Sequence, residues 1–293
     1  VTAMGGTHVV LRKVDGAEIL RRVDKHGVTL MCGAPAVANA IIEAAHQFDS
    51  GIPGREKVRM VVAGAPPPSK TIERVETELG WQFHQIYGLT ETSPVLTINS
   101  PRPETDHLTP AERSVVLSAA GVPTIGTEMA TSPNGEVLAR SNTVMNGYWN
   151  QPDATDAAIM NGFFHTGDGG SIGDGHVLTI SDRKKDVIIS GGENVSSIEV
   201  EDALFSHPDV TEVAVIGIPD EKWGELVLGL VVKSSSSSLT EEELISYCRT
   251  KIAAYKCPKK IEFRTELART ATGKLQKFKL RAPYWDGYTK QVN

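Results

Sequence analysis

The chain has 293 residues, of which 40% are hydrophobic and 23% are charged, as is typical of a soluble globular protein large enough for two domains. The formal net charge of −6 and the pI near 5.8 argue against nucleic acid or an anionic membrane surface as the main partner. The three scattered cysteines, Cys32, Cys248 and Cys257, argue against a disulfide framework and a zinc site and favour a reducing, cytoplasmic compartment.

The ends and apolar runs of the chain predict no membrane span. No apolar run approaches the roughly 20 residues that a spanning helix needs, and the N-terminus lacks a basic region followed by an apolar core.

The chain begins with Val1, and an apolar run follows almost at once, as it would in the middle of a domain. We therefore expect that an upstream portion is missing.

The first part of the chain alternates short β-like runs with helical ones. Strands are predicted over residues 8–11, 28–32 and 58–63, and helices over 16–25 and 36–48. This alternation predicts a layered α/β domain with parallel strands.

The loop at Gly64, Ala65 and Pro66 closes the strand over 58–63 and precedes a helix predicted over 69–79. A turn where a parallel strand passes into a helix lies at the carboxyl edge of the sheet, where α/β folds bind ligands. These three residues are therefore candidates for ligand binding.

The next predicted strand covers 83–87 and runs from Tyr87 into Gly88, Thr90 and Glu91. A glycine here admits close backbone approach, a hydroxyl can bond phosphate oxygens, and a carboxylate can hold a hard cation such as magnesium. A capped turn is the alternative for this stretch alone. Beside the loop at 64–66 it predicts a nucleotide-binding edge.

Residues 99–120 are predicted as a loop and a short helix, and residues 122–148 as short strands of an antiparallel sheet or small barrel. Further on, His165-Thr166-Gly167-Asp168 puts a carboxylate in a glycine turn behind an aromatic strand. Such a carboxylate can accept two hydrogen bonds from a ribose diol. A plain aspartate in a tight turn is the alternative.

The stretch over 179–198 joins two parts of the chain. Five consecutive charges over 182–186 predict an exposed turn, and the β-branched run over 187–189 predicts an interior strand. Gly191 and Gly192 then mark a sharp turn or a close backbone approach. An exposed hairpin before a helix is the alternative.

Beyond this stretch the pattern changes to α+β. Helices are predicted over 198–205 and 240–251, and strands over 212–218, 226–232 and 260–263. The last strand is followed by a loop over 270–274, in which small residues present Lys274 where the backbone can bend. A solvated surface lysine is the alternative for Lys274.

Four motifs follow one another in the chain: YGLTET over 87–92, HTGD over 165–168, SDRKKDVIISGGEN over 181–194 and RTATGKLQK over 269–277. Together they resemble the adenylate-forming superfamily of acyl-CoA synthetases, luciferases and peptide-synthetase adenylation domains, and most of all the medium- and long-chain fatty acyl-CoA ligases. The resemblance implies an α/β N-terminal body over 1–184, here partial, with a layered parallel sheet plus a small antiparallel barrel. It also implies a smaller, mobile α+β C-terminal domain over 185–293, with its hinge at Lys185.

The resemblance also implies a reaction in two steps, with ATP, magnesium and coenzyme A. A carboxylic acid, here a fatty acid, reacts with MgATP to give an acyl-adenylate and pyrophosphate. Coenzyme A then takes the acyl group and releases AMP. No nucleic-acid partner is implied, and a homodimer is left open.

The same resemblance assigns roles to single residues of this chain. The adenine-binding residues are Gly64, Ala65, Pro66 and Tyr87, with Gly88 beside them. The phosphate, metal and ribose residues are Thr90 for the α-phosphate, Glu91 for magnesium, and Asp168 and Arg183 for the ribose hydroxyls. The residues tied to domain rotation are Lys185 at the hinge, Gly191, Gly192 and Trp223 at the pantetheine tunnel, and Lys274 as the adenylation lysine.

The chain departs from the family pattern in ways that matter for activity. It lacks the pocket residues that flank the carboxylate on the N-terminal side. It has no serine-, threonine- and glycine-rich loop ending in a lysine, which in the family lies upstream and holds the β- and γ-phosphates. The alternatives therefore include an aryl or other carboxylate ligase, an adenylating enzyme with an acceptor other than coenzyme A, and a catalytically incomplete AMP-binding module.

Overall fold

The computed structural model describes residues 1–48, 51–270 and 273–288. Within these residues the α-helices are α1 (Gly16–His26), α2 (Pro35–Ala45), α3 (Ser69–Arg74), α4 (Pro110–Leu117), α5 (Pro152–Ala158), α6 (Ser197–Phe205), α7 (Glu241–Arg249) and α8 (Lys277–Trp285). Ala271 and Thr272 of the predicted lysine loop lie outside the described residues. Among the helices described, none is long and apolar enough to cross a membrane.

The strands form three sheets. The first contains β1 (Leu30–Gly33), β2 (Arg59–Val62), β3 (Gln82–Tyr87), β4 (Thr97–Asn99) and β5 (Val122–Pro123). The second contains β6 (Thr127–Thr131), β7 (Glu136–Ser141), β8 (Ile159–Met160), β9 (Phe163–Ile172) and β10 (Leu178–Arg183). The third contains β11 (Ile188–Ser190), β12 (Glu193–Val195), β13 (Val210–Asp220), β14 (Gly224–Lys233) and β15 (Lys260–Phe263).

The first sheet is the layered α/β body that the sequence predicts. Strands β1, β2 and β3 are parallel neighbours, and β4 and β5 continue the sheet in antiparallel pairing. Helices α1 and α2 pack on it through a core that includes Leu20, Ile41, Met60 and Phe83. Because β2 and β3 are parallel, the loops that follow them lie at the same edge of the sheet.

Helix α1 illustrates how local sequence determines an element. The Asp15 side chain accepts a hydrogen bond from the backbone N–H of Glu18 at 2.9 Å, and Gly27 ends the helix with φ at 61°. Between these ends, Leu20 and Val23 are buried against the core. The helix thus carries its own start signal, stop signal and apolar face.

We expect Asp15→Ala to lower the free energy of unfolding by about 1 kcal/mol, because the mutation removes the side-chain cap of α1. Denaturant unfolding of the purified chain measures this change. Asp24→Ala, which removes an exposed carboxylate from the last turn of the same helix, is the matched control and should leave stability unchanged or slightly raised. Equal losses in the two variants would contradict the capping role.

The strand predicted over 8–11 is wrong, since these residues are not in a strand. A strand needs a hydrogen-bonded neighbour, and the carbonyl of Val10 instead accepts a hydrogen bond from the Arg22 side chain at 2.9 Å. The helix predicted over 69–79 is present as α3, followed by a π-helical turn over Val75–Leu79.

The second sheet is the predicted antiparallel unit, with strand order β10-β9-β7-β6 and β8 paired to β9. The glycine turn predicted at Asp168 is not a turn. Asp168 lies inside β9, where the register against β7 shifts and Gly167 has φ at 73°. A bulge, which admits one or more extra residues into a continuing strand, gives the same local bend as the predicted turn.

The third sheet and its helices form the α+β unit. The long antiparallel pair of β13 and β14 is flanked by β15, parallel to β14, and by the short hairpin of β11 and β12. Helix α6 contacts the first body as well, because the Asp202 carboxylate accepts hydrogen bonds from the backbone N–H and the hydroxyl of Ser69, at 2.9 and 3.1 Å. This contact holds the α+β unit against the start of α3.

Two features of this unit differ from the sequence predictions. Asp182, expected in an exposed turn, is buried in β10, where its carboxylate accepts hydrogen bonds from the backbone N–H and hydroxyl of Ser197. These bonds offset the cost of removing the carboxylate from water. No prediction covers helix α8, which contains Pro283 and packs on β13, where the Trp285 indole donates to the carbonyl of Gly217.

Candidate functional site

A cavity of about 680 Å³ lies at the carboxyl edge of the first sheet. Its wall is built from the loops after β2 and β3, the bulge of β9, the end of β10 and Lys274. The predicted site residues in this wall are Gly64, Gly88, Thr90, Glu91, Asp168, Arg183, Lys185 and Lys274. The fold therefore gathers residues that are separated by up to 210 positions in the sequence.

Asp168 is the most deeply buried carboxylate of this wall, with 6% of its surface exposed. The Tyr87 hydroxyl donates to its Oδ2 at 2.9 Å, and Nε of Arg183 lies 3.5 Å from its Oδ1. Burial raises the pKa of Asp168, although the Tyr87 hydrogen bond and the Arg183 charge oppose the shift. The carboxylate faces the cavity as a hydrogen-bond acceptor, which is the chemistry that a sugar diol needs.

Cationic side chains outnumber carboxylates among the residues that line the cavity. Arg183, Lys184, Lys185 and Lys274 line it, against the two carboxylates of Glu91 and Asp168. Burial and the charge of Arg183 lower the pKa of Lys274. A cavity with an excess of positive charge favours an anionic ligand such as a phosphate ester.

Glu91 is the carboxylate predicted to hold magnesium. Its Oε1 accepts a hydrogen bond from the Tyr148 hydroxyl at 3.0 Å, and its backbone carbonyl accepts from the N–H of Met145 at 2.7 Å. Within the described residues no group of three or more His, Cys, Asp or Glu could hold a metal ion. One carboxylate still fits magnesium, which is commonly bound by one or two carboxylates together with phosphate oxygens.

Gly88 is required by the packing of its own loop. A Cβ added there would lie 1.7 Å from the carbonyl oxygen of Pro94. The predicted close backbone approach therefore exists, and it is made by the protein's own chain. This contact folds the loop so that Thr90 and Glu91 lie in the cavity wall.

Gly191, Gly192 and Trp223 lie together but outside the cavity wall. The two glycines have φ at 63° and 84° and join β11 to β12 in a two-residue hairpin turn, which needs residues that tolerate positive φ. The N–H of Gly191 donates to the carbonyl of Trp223 at 2.8 Å, and the indole would meet a Cβ at Gly191 at 2.8 Å. In this arrangement Lys274, not the glycine turn, faces the cavity.

Ala65, Pro66 and Tyr87 are also absent from the residues that line the cavity, among those the structure describes. Tyr87 reaches the site through its hydroxyl, which contacts Asp168, and burial raises its pKa. Their proposed contact with adenine stays a prediction.

Sequence reasoning missed Lys184 and Thr166 as cavity residues. Lys184 lies between the predicted residues Arg183 and Lys185, and Thr166 lies two positions before Asp168, so their places within the SDRKKD and HTGD motifs could have indicated them. It also missed Tyr148, whose contact with Glu91 spans 57 positions and leaves no local signal.

Comparison with protein families matches two regions of the chain. Residues 1–149 match the family described as AMP-binding enzyme, and residues 199–274 match the AMP-binding enzyme C-terminal domain.

Comparison with curated proteins and solved structures gives the same picture over nearly the whole chain. The chain is 42% identical to a 2-methylpropanoate–CoA ligase, CCL4, of Humulus lupulus, over 96% of its own length and 53% of the relative. It is 35% identical to a peroxisomal trans-cinnamate:CoA ligase of Petunia hybrida, over 96% and 51%. The structure resembles the amide bond synthetase McbA from Marinactinospora thermotolerans with a TM-score of 0.82 and 29% identity, covering 96% of this chain and 58% of that one. The chain thus spans about half the length of the curated relatives it matches.

Proposed function

The chain belongs to the family of AMP-binding enzymes, and from this premise we propose that it is part of an AMP-forming acid–CoA ligase. Such an enzyme activates a carboxylic acid with ATP and transfers the acyl group to coenzyme A. The observation that carries the proposal is the cavity in which Asp168, Glu91 and Lys274 meet at one sheet edge.

In the first step a carboxylate oxygen of the acid attacks the α-phosphorus of ATP. A mixed anhydride forms, the bond between the α- and β-phosphates breaks, and pyrophosphate leaves. Asp168 and Arg183 hold the ribose, Thr90 bonds the α-phosphate, and Lys274 stabilises the charge that develops on the phosphate oxygens. Glu91 would hold magnesium, which when bound neutralises phosphate charge.

In the second step the thiol of coenzyme A loses its proton to water and its sulfur attacks the acyl carbon, the acyl–oxygen bond breaks, and AMP leaves with the electron pair. Lys274 has no task here, whereas Gly191, Gly192 and Trp223 lie together as a separate surface of the α+β unit. Rotation about Lys185 would exchange the two surfaces at the cavity. This division at 184/185 is supported by the change of sheet between Arg183 and Ile188.

The acid substrate is open to test. The fatty acid implied by resemblance has no advantage over a small branched or aromatic acid, because relatives named for 2-methylpropanoate and trans-cinnamate are both similar to this chain. A cytoplasmic location likewise stays a prediction, since some relatives are named as peroxisomal.

The test is acid-dependent exchange of labelled pyrophosphate into ATP by the full-length gene product. A fatty acid, 2-methylpropanoate and trans-cinnamate are supplied in turn, and thioester formation is then measured with coenzyme A. We expect exchange with at least one acid and a thioester from the same acid. Binding of AMP without exchange for any acid would favour the incomplete AMP-binding module instead.

A second candidate is an adenylating enzyme with an amine acceptor, favoured by the structural similarity to an amide bond synthetase. Supplying the enzyme-bound adenylate with either coenzyme A or an amine separates the two. Amide formation without a thioester would establish this candidate and overturn the ligase.

We expect Lys185→Pro to slow one half-reaction much more than the other. Lys185 is exposed, and its carbonyl accepts a hydrogen bond from Arg281 of α8 at 3.0 Å. Proline fixes φ and would trap one orientation of the α+β unit. Adenylate formation and thioester formation from supplied adenylate are measured separately, with Lys185→Ala as the control that keeps φ free. Equal slowing of both steps by proline would argue against a hinge at this residue.

A further inference from the structure

Glu136, the first residue of β7, lies behind the wall of the cavity and is 9% exposed. It is absent from the residues that line the cavity, and it sits opposite the bulge of β9. In the register, Glu136 is paired with Gly169 and Leu138 with His165. Residues 166–168 therefore occupy the space opposite the single residue Val137.

The Glu136 carboxylate closes a ring of hydrogen bonds around this bulge. Its Oε1 accepts from the backbone N–H of Gly167 at 3.0 Å. The carbonyl of Gly167 accepts from the backbone N–H of Lys184 at 3.0 Å, and the Lys184 ammonium donates to Oε2 of Glu136 at 3.2 Å. The backbone N–H and the backbone carbonyl of Gly167 are thus both fixed, the first by β7 and the second by the residue after β10.

A second contact strengthens this arrangement. Nδ1 of His165 lies 3.2 Å from Oε2 of Glu136. Burial alone would raise the pKa of Glu136, but hydrogen bonds from His165, Lys184 and Gly167 hold it below the usual range. The carboxylate is therefore charged at neutral pH, and the bonds it accepts are stronger than those of a neutral acceptor.

This ring of hydrogen bonds affects Asp168, which follows Gly167 directly in the chain. Gly167 has φ at 73°, and because glycine adopts positive and negative φ about equally readily, the residue itself does not determine one backbone conformation. The ring around Gly167 fixes the direction in which the chain leaves the bulge, and so the point at which the Asp168 carboxylate enters the cavity.

We propose that Glu136 is the positioning residue for sugar recognition, acting through Gly167 to aim the Asp168 carboxylate at the ribose hydroxyls of a bound nucleotide. This inference rests on the proposed function, because it takes the ligand of Asp168 to be the ribose of AMP or ATP. Glu136 itself touches no ligand.

The test compares two ligands, AMP and 2′,3′-dideoxy-AMP, by calorimetry on the purified chain and its variants. The ligands differ only in the hydroxyls that Asp168 would bind, so the ratio of their affinities reports on this one contact. A variant that merely lowers the folded fraction changes the apparent amount of active protein and leaves this ratio unchanged.

We expect the parent chain to bind AMP more tightly than the dideoxy ligand. Glu136→Ala should weaken AMP binding about tenfold, the size expected when a hydrogen bond to a charged group is lost, and should leave dideoxy-AMP within about twofold. Glu136→Gln keeps an oxygen acceptor for the N–H of Gly167 but places an uncharged amide beside the Lys184 ammonium. It should therefore weaken AMP binding by less than Glu136→Ala does, again with little effect on dideoxy-AMP. If the alanine variant does not fold, the glutamine variant carries the test.

Glu128→Ala is the matched control, because Glu128 lies on the neighbouring strand β6 in an exposed ion pair with Arg140. It should change neither affinity. Equal weakening of both ligands by the Glu136 variants, or no weakening of AMP, would overturn the positioning role and leave the proposed function standing. A parent chain that fails to distinguish the two ligands, or fails to bind AMP, would overturn the ribose assignment on which both depend.

Discussion

Lys274→Ala is expected to lower adenylate formation in the full-length gene product by about 100-fold or more, the loss seen when one preorganised donor is removed from a developing charge. Lys274 lines the cavity together with Arg183 and Asp168. Its ammonium is half-buried, and its pKa is lowered by burial and by the neighbouring Arg183 charge. The attraction between this ammonium and a developing negative charge is stronger where water is partly excluded, because the local dielectric constant is lower there.

The prediction is specific to one half-reaction. Thioester formation from supplied acyl-adenylate should be nearly normal in the variant, because that step needs no new charge on the phosphate. Lys279→Ala, an exposed lysine five residues further along, is the matched control and should affect neither step. Equal losses in both steps for Lys274→Ala would refute its role as the adenylation lysine.

The second large effect is expected at Asp168. If its carboxylate accepts bonds from both ribose hydroxyls, Asp168→Ala should weaken AMP binding by on the order of 3 kcal/mol, the value of two hydrogen bonds to a charged group. The carboxylate already has Tyr87 and Arg183 as partners in the ligand-free protein. These contacts hold it in place, so little further ordering is needed when a sugar binds.

Calorimetry with AMP measures this loss, and Asp174→Ala serves as the control because Asp174 is exposed in the turn after β9. An affinity for AMP within about twofold of the parent would show that the ribose assignment is wrong, since a lost hydrogen bond to a charge costs more than that.

The pH dependence of AMP binding follows from the same carboxylate. Burial raises the pKa of Asp168, and only the ionised form accepts bonds from both hydroxyls. The affinity for AMP should therefore be highest above this raised pKa and should be lost as the pH falls through it. This loss should occur at a higher pH than it would if Asp168 were an exposed aspartate. A titration of AMP affinity against pH, with the Asp168→Asn variant as reference, checks the sign.

Local signals in the sequence determined the elements that are independent of distant partners. The periodicity between Asp15 and Gly27 fixes α1, because cap, apolar face and stop signal all lie within one short segment. The parallel order of β2 and β3 places the loops after them at one sheet edge, since the carboxyl ends of parallel strands coincide. These rules place Gly64, Gly88, Thr90 and Glu91 at one edge of the sheet without reference to any tertiary contact.

Only the tertiary structure decided the features that depend on pairing between distant segments. Asp182 belongs to a run of charges that looks exposed, and it is buried because Ser197 supplies hydrogen bonds from another sheet's helix. Asp168 lies in a strand because β7 pairs across the Gly167 bulge, and Glu136 has no local signal that links it to that bulge. The packing of the α+β unit against the first body brings Lys274 to the cavity and leaves the glycine turn outside it. Sequence periodicity reports what a segment does with its own neighbours, whereas these positions depend on hydrogen bonds and burial that exist only once separate segments meet.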